Sequence, residues 1–144
     1  MYKIKTNIVR PFNVYGKRQD PNGPYGAAIP KFINYLKKGK QPYITGDGEQ
    51  FRDFIYIDDL VELFILASKG DVYGEIFNGG SGETSSVNDL YKLISKIMKK
   101  EITPEYVKEV KEPNTLADIS KSKKLLNWEP KISLEEGLKK VIYE

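Results

Sequence analysis

The spacing of apolar residues changes along the chain, and each spacing predicts an element. Residues 4–10, with Ile4, Ile8 and Val9, read as a short strand that Pro11 stops, because proline has no N–H to give a ladder. The polar stretch 13–26 carries Pro21, Gly23, Pro24 and Gly26 and reads as a loop. Ile29, Phe32, Ile33 and Leu36 then recur at helical spacing, with Pro30 tolerated in the first turn and Gly39 as the stop, which predicts a helix of about three turns. Residues 42–45 and 51–57 are β-rich runs on either side of Gly46-Asp47-Gly48-Glu49-Gln50, a spacing that predicts a hairpin-like connection.

Farther along, Asp58 and Asp59 stand where a helix over 60–68 would begin, and Asp59 with Glu62 makes the D-x-x-E spacing of a capping box. That helix is apolar on most sides and is expected to be buried. Residues 75–78 read as a strand, and Gly79-Gly80-Ser81-Gly82 opens into Ser86-Val87-Asn88-Asp89. The S-x-x-D spacing, followed by Val87, Leu90, Tyr91, Ile94, Ile97 and Met98, gives the clearest amphipathic helix in the chain. A strand over 105–110, a short helix over 120–126 and a last helix over 133–142, with a box at Ser133 and Glu136, complete the pattern. Strands and helices mix without an internal repeat, so a single α/β domain over 1–144 is expected.

Composition narrows the chemistry. The chain has 144 residues and 40% apolar content, with neither Cys nor His. A chain of this length buries ~70% of its unfolded surface and needs no staple. Disulfides, thiol nucleophiles, zinc sites built on Cys or His, Ser-His-Asp triads and imidazole acid–base chemistry are all excluded. Catalysis here would need carboxylates, Tyr, Lys or a cofactor.

The formal charge of +3 is spread through interspersed Lys and Glu, so no basic stripe marks a nucleic-acid partner. The longest apolar run, near 63–67, is far short of the roughly 20 residues a membrane span requires. The N-terminus lacks signal-peptide order, and a cytoplasmic location with no membrane partner is expected. Arg occurs only at Arg10, Arg18 and Arg52, and the Lys-, Glu- and Ile-rich balance has the composition of thermophile proteins.

Several residues could carry chemistry, each with a plainer reading beside it. The Gly79–Gly82 loop lies between a strand and a helix, where unpaired N–H groups meet phosphates, but it matches neither GxGxxG nor a P-loop and also reads as a plain turn. Asn78 could bond a ligand oxygen or cap that turn. The Arg52 guanidinium suits a phosphate, or it pairs with Asp53 or Asp47. Asn13, Tyr15 and Gly16 could form an ordinary turn. Asp58/Asp59 and Glu135/Glu136 read as helix caps rather than catalytic dyads. No Tyr-x-x-x-Lys spacing occurs among the 10 Tyr residues.

Taken together, six blocks in order carry a resemblance. They are Arg10-Pro11-Phe12-Asn13-Val14-Tyr15-Gly16, Ile29-Pro30-Lys31-Phe32-Ile33, the run from Gly46 to Asp59, Phe77-Asn78-Gly79-Gly80-Ser81-Gly82, Ala117-Asp118-Ile119-Ser120-Lys121-Ser122-Lys123, and Leu126-Asn127-Trp128-Glu129-Pro130. Over nearly the whole chain they resemble the C-terminal half of the nucleotide-sugar epimerases and dehydratases of the extended short-chain dehydrogenase/reductase family. The UDP-glucose 4-epimerase type is the most similar.

The resemblance implies an α/β fold of mixed short strands and helices lacking most of the Rossmann sheet. Residues 1–16 resemble the last part of the Rossmann half. In that family the Gly-rich NAD loop and the catalytic Tyr-x-x-x-Lys pair lie upstream of the Arg-Pro-Phe-Asn segment, so no catalytic residue is assigned here. NAD is the cofactor of the complete enzyme, and none is expected on this chain alone. Carried over, Pro11 and Phe12 would touch the nicotinamide, and Asn13 would bond the sugar nucleotide near its diphosphate. Ala28 and Ile29 would pack on the ligand, Tyr43 and Thr45 would flank the base, Arg52 would hold the diphosphate, and Asn78 would make a polar contact to ribose or phosphate.

One departure is the stretch from Tyr106 to Glu112, where the family often has an Arg and this chain offers only Lys108 or Lys111. The implied partners are a UDP-sugar or related nucleotide-sugar and either the missing Rossmann half or a second copy. The alternatives are a 4,6-dehydratase fragment, a non-catalytic sugar-nucleotide binding module, and a decayed truncated gene product.

Overall fold

The computed structural model describes residues 4–23, 28–69, 71–108 and 113–143. Its strands form four separate two-stranded ladders. Strand β1 (Ile8–Pro11) runs parallel to β6 (Ile76–Gly79), and β2 (Val14–Tyr15) parallel to β5 (Ile55–Tyr56). Strand β3 (Tyr43–Thr45) is parallel to β8 (Glu105–Val107), whereas β4 (Phe51–Arg52) is antiparallel to β7 (Ser85–Ser86). Five helices surround them: α1 (Ala28–Lys37), α2 (Ile57–Lys69), α3 (Val87–Met98), α4 (Ser120–Leu126) and α5 (Leu134–Tyr143). This is the mixed α/β architecture expected from the pattern.

Several local expectations are corrected. The first strand is shorter than 4–10 and runs through Pro11 rather than stopping before it. The N–H groups of Ile8 and Phe12 point to Glu75 O and Gly79 O, so alternation turns the nitrogen of Pro11 to the opposite edge, where no donor is needed. Asn7 ties down the preceding residues instead: its Nδ2 donates to Ala67 O and Val72 O, and its Oδ1 accepts from Glu75 N.

The hairpin between 42–45 and 51–57 does not form. Gly46 and Gly48, with φ of 71° and 76°, turn the chain. Asn88 at the start of α3 fills the space a side chain at Gly48 would need, since a Cβ there would lie 2.2 Å from its Oδ1. The Asn88 amide donates to Asp47 O at 2.9 Å and to Glu49 Oε1 at 2.6 Å. The turn is thus docked on a helix, and its two arms pair with distant strands.

Helix α2 begins at Ile57, so Asp59 lies inside its first turn rather than capping it. Its carboxylate accepts from Ile132 N at 3.0 Å, and Glu62 pairs with Lys131 at 2.6 Å. Nor is α2 buried all round: Leu60, Leu63 and Ala67 are, but Val61, Phe64 and Ile65 are exposed. The S-x-x-D cap at Ser86 and the box at Ser133 and Glu136 form as read. Ser86 Oγ accepts from Asp89 N, and Ser133 and Glu136 exchange bonds in both directions. The loop read over 13–26 contains β2, and its residues 24–26 lie outside the described residues, as do 109 and 110 of the strand read over 105–110.

Two cores result. Ile29, Phe32 and Leu36 of α1 meet Leu90 and Ile94 of α3 and Leu138 of α5, with Phe32 edge-on to Tyr91 at 5.3 Å. Phe77, Leu60, Leu63 and Trp128 form the second, under α2 and α4. Each such side chain contributes about 1.5–3 kcal/mol by burial.

Candidate functional site

Between the end of β1, β2, the start of α1 and β4 lies a cavity of about 730 Å³. Pro11, Asn13, Gln19, Ala28, Ile29 and Arg52 are on its wall. A second cavity of about 200 Å³ is lined by Tyr43, Thr45, Lys31 and Gln50. Ala28 and Val87, the first residues of α1 and α3, line both, so the two compartments share a border. Pro11, Asn13, Ala28, Ile29 and Arg52 are therefore brought together, with Tyr43 and Thr45 next door. Phe12 and Asn78 line neither cavity. Phe12 packs on the second core, and the Asn78 amide donates to Asp118 O at 3.0 Å.

Arg52 is half-buried. Its Nη1 donates to Phe51 O at 3.0 Å and to Pro113 O at 2.6 Å, two neutral carbonyls that orient the fork. The two acids considered as its partners make bonds of their own. Asp47 Oδ1 accepts from Glu49 N. Asp53, fully buried, accepts from Ser81 N at 2.6 Å, Ser81 Oγ at 2.7 Å, Gly82 N at 3.0 Å and Ala117 N at 3.1 Å.

This also resolves the glycine loop. Its N–H groups do point at an anion, and the anion is the carboxylate of Asp53. Gly80 is required there, since a Cβ would lie 2.7 Å from Asp53 Oδ2 and 2.4 Å from Ala117 Cβ. Asn13 completes the cluster, donating from Nδ2 to Asp53 O at 2.7 Å and Thr115 Oγ1 at 3.3 Å.

Gln19 also lies on the wall of this cavity, a residue that sequence reading did not single out. Its Nε2 donates to Val14 O at 3.2 Å, while its Oε1 is buried without a hydrogen-bond partner at the cavity wall. An acceptor so placed is open to a donor at the cavity wall, from water or from a bound hydroxyl or amide. Periodicity says nothing of a loop residue, so no signal in the sequence set Gln19 apart.

Tyr15 lies beneath the same cavity, edge-on to Tyr56 at 5.5 Å, and its hydroxyl donates weakly to Leu134 O at 3.4 Å. Burial first, then the charges of Tyr56, Asp59 and Glu136, holds its phenol well above the ordinary 10.0. It stays protonated and cannot act as a base near neutrality. The unfolded chain ionises this group near 10.0, so its contribution to stability is complete below that pH and is lost as pH rises above it. Denaturation midpoints measured from pH 8 to 11 should fall above pH 10. Tyr15→Phe should flatten that fall while costing ~1 kcal/mol or less at pH 7.

Among the described residues, no helix is long and apolar enough to cross a membrane, and no group of three acidic side chains could hold a metal ion.

Residues 1–141 match the family model described as GDP-mannose 4,6 dehydratase. The chain is 40% identical to UDP-glucuronate 4-epimerase of Thermodesulfobacterium geofontis, over 99% of this chain and 43% of that protein. The crystal structure of UDP-glucose 4-epimerase with UDP-glucose from Thermotoga maritima superposes with a TM-score of 0.92 at 38% identity, covering 98% of this chain and 46% of that one. UDP-glucuronic acid 4-epimerase from Bacillus cereus, in complex with UDP-glucuronic acid and NAD, gives 0.88 at 38% identity over 96% and 44%. The chain thus spans about half the length of the relatives it matches, and corresponds to their C-terminal half.

Proposed function

From the premise that the chain belongs to the GDP-mannose 4,6 dehydratase family, we propose that it is the nucleotide-sugar-binding portion of an NAD-dependent epimerase of the UDP-glucose 4-epimerase type. The observation that carries this reading is the two-part cleft, with a guanidinium in its wall and the orphan Gln19 acceptor in the larger part. The base goes to the smaller compartment, between Tyr43 and Thr45. Arg52, already oriented by two carbonyls, takes the diphosphate, while Asn13, whose amide donates to Asp53 O and Thr115 Oγ1, frames that end of the cleft. The hexose lies toward Pro11, where Gln19 Oε1 accepts from a sugar hydroxyl.

NAD supplies the redox step in such an enzyme, taking hydride from the sugar and returning it to the other face. The residues here do not fit a dinucleotide, because the glycine loop that could cradle a pyrophosphate spends its donors on Asp53. The cofactor is therefore assigned to the N-terminal half, and this chain contributes at most the strip at Pro11 and Phe12. Catalytic proton transfer is assigned to that half as well.

Calorimetry of the 144-residue chain with UDP-glucose tests the reading. Weak binding is expected, and Arg52→Ala should weaken it by about 1.5–3 kcal/mol, the range for a charge-assisted hydrogen bond. Arg52→Lys should recover only part, since an ammonium cannot make a two-point contact. No conversion of UDP-glucose to UDP-galactose is expected. Affinity unchanged in Arg52→Ala would confine the guanidinium to a structural role and remove the diphosphate from this site.

A further inference from the structure

Two amide side chains, Asn13 and Gln19, stand on the wall of the larger cavity, and each has its donor end occupied by the protein itself. The Gln19 Nε2 donates to Val14 O, and the Asn13 Nδ2 donates to Asp53 O and Thr115 Oγ1. A main-chain carbonyl can only accept, so it fixes which end of each amide faces it, and the end left over is an acceptor. Gln19 Oε1 is buried with no hydrogen-bond partner, and among the described residues no donor reaches Asn13 Oδ1.

The charges around these amides point the same way. Among the described residues that line this cavity, Arg52 alone is charged, and on the nucleotide-sugar reading its guanidinium is committed to the diphosphate. Lys17 and Arg18, just before Gln19, are exposed and stand off the wall. Tyr15 keeps its proton, but its hydroxyl is turned to Leu134 O. Among the described residues, the hexose end of the cavity therefore offers two acceptors and no second cation.

We infer that the chain selects an uncharged hexose over a hexuronate, with Gln19 and Asn13 as the residues that set the choice, an inference that rests on the nucleotide-sugar reading. A sugar hydroxyl or an acetamido N–H donates to Oε1 or Oδ1 and satisfies an acceptor that the protein leaves open. An ionised carboxylate has no proton to give. At the same place it sets oxygen lone pairs against oxygen lone pairs and loses its water without gaining a cation. Overall identity does not separate the two sugars, since the relatives at 40% and 38% include a UDP-glucuronate 4-epimerase and a UDP-glucose 4-epimerase. The hydrogen-bonding groups of the cavity do separate them.

The test is calorimetry of the 144-residue chain with UDP, UDP-glucose and UDP-glucuronate. UDP-glucose is expected to bind about 10-fold or more tightly than UDP-glucuronate. Gln19→Lys, which puts an ammonium where the acceptor stood, should move that ratio about 10-fold or more toward UDP-glucuronate. If Gln19→Lys fails to fold, analogues decide on the unmodified chain: UDP-glucose with one sugar hydroxyl at a time replaced by fluorine, which cannot donate, should lose about 5-fold or more in affinity at one position at least. Equal affinity for the two UDP-sugars, an unmoved ratio in folded Gln19→Lys, or full affinity for every fluorinated analogue would each overturn the inference. UDP keeps the two readings apart. UDP bound with both sugars treated alike overturns the selection only, whereas failure of UDP to bind overturns the nucleotide-sugar reading and the selection with it.

Discussion

Asp53→Ala is expected to cost about 3–5 kcal/mol of unfolding free energy, although the residue faces no ligand. Its carboxylate is fully buried and accepts four bonds, three of them from backbone N–H groups of Ser81, Gly82 and Ala117. Removing it leaves those donors buried without acceptors, at ~1–3 kcal/mol each before relaxation. Asp53→Asn keeps the shape but turns one NH2 toward N–H donors, so it should recover only part. The effect should spread to the cleft. The backbone of Phe51 is tied to Asn114 and Thr115, and the Asn13 amide to Asp53 O, so β4 and Arg52 lose their footing when the 113–117 segment is released. Urea denaturation at constant slope checks the stability loss, and calorimetry with UDP-glucose checks the spread. A loss under ~1 kcal/mol would mean that water replaces the carboxylate.

Trp128→Ala should be comparably damaging, at about 3–5 kcal/mol. The indole is 1% exposed, and its Nε1 donates to Asp59 O at 3.1 Å, joining the segment after α4 to the first turn of α2. The Asp59 carboxylate accepts from Ile132 N nearby, so one turn of α2 holds the entire approach to α5. Trp128→Phe should cost less, keeping most of the buried area while losing the N–H. Because Trp128 is the single Trp, thermal unfolding of its variants must be followed by circular dichroism rather than fluorescence.

Features set by neighbours in sequence were legible in advance. Ser86 and Asp89, or Ser133 and Glu136, lie three residues apart, and their spacing alone defines the bonds they make. Helix α1 was legible because four apolar residues share one face. What was not legible depended on partners far along the chain. Asp59 has the spacing of a cap, but the N–H of Ile132 gives its carboxylate another use. Residues 42–45 and 51–57 have the composition of hairpin arms, but Asn88 fills the turn between them. The glycine loop could be read as a phosphate cradle or as a plain turn, and only folding showed that its N–H groups meet the carboxylate of Asp53. For the cleft, the resemblance gathered five residues that line one cavity, whereas Asn78 points to Asp118 and Gln19 was invisible until its acceptor was found buried.

The same absence of a hairpin has a consequence for how the chain reaches this state. Even the most local strand pairing, Phe51 with Ser86, must wait for α2 and β6 to be laid between its arms, and Ile8 finds Ile76 only after about half of the chain has been placed. Among the described residues no sheet contact can zip from a turn, so each of these ladders requires a long loop to close before it is rewarded. The capped helices α3 and α5 need only local bonds, which form on the microsecond scale. The ladders should follow on the millisecond-to-second scale of non-local topologies, with substitutions in α1, α3 and α5 slowing folding and those in β1 and β6 chiefly hastening unfolding.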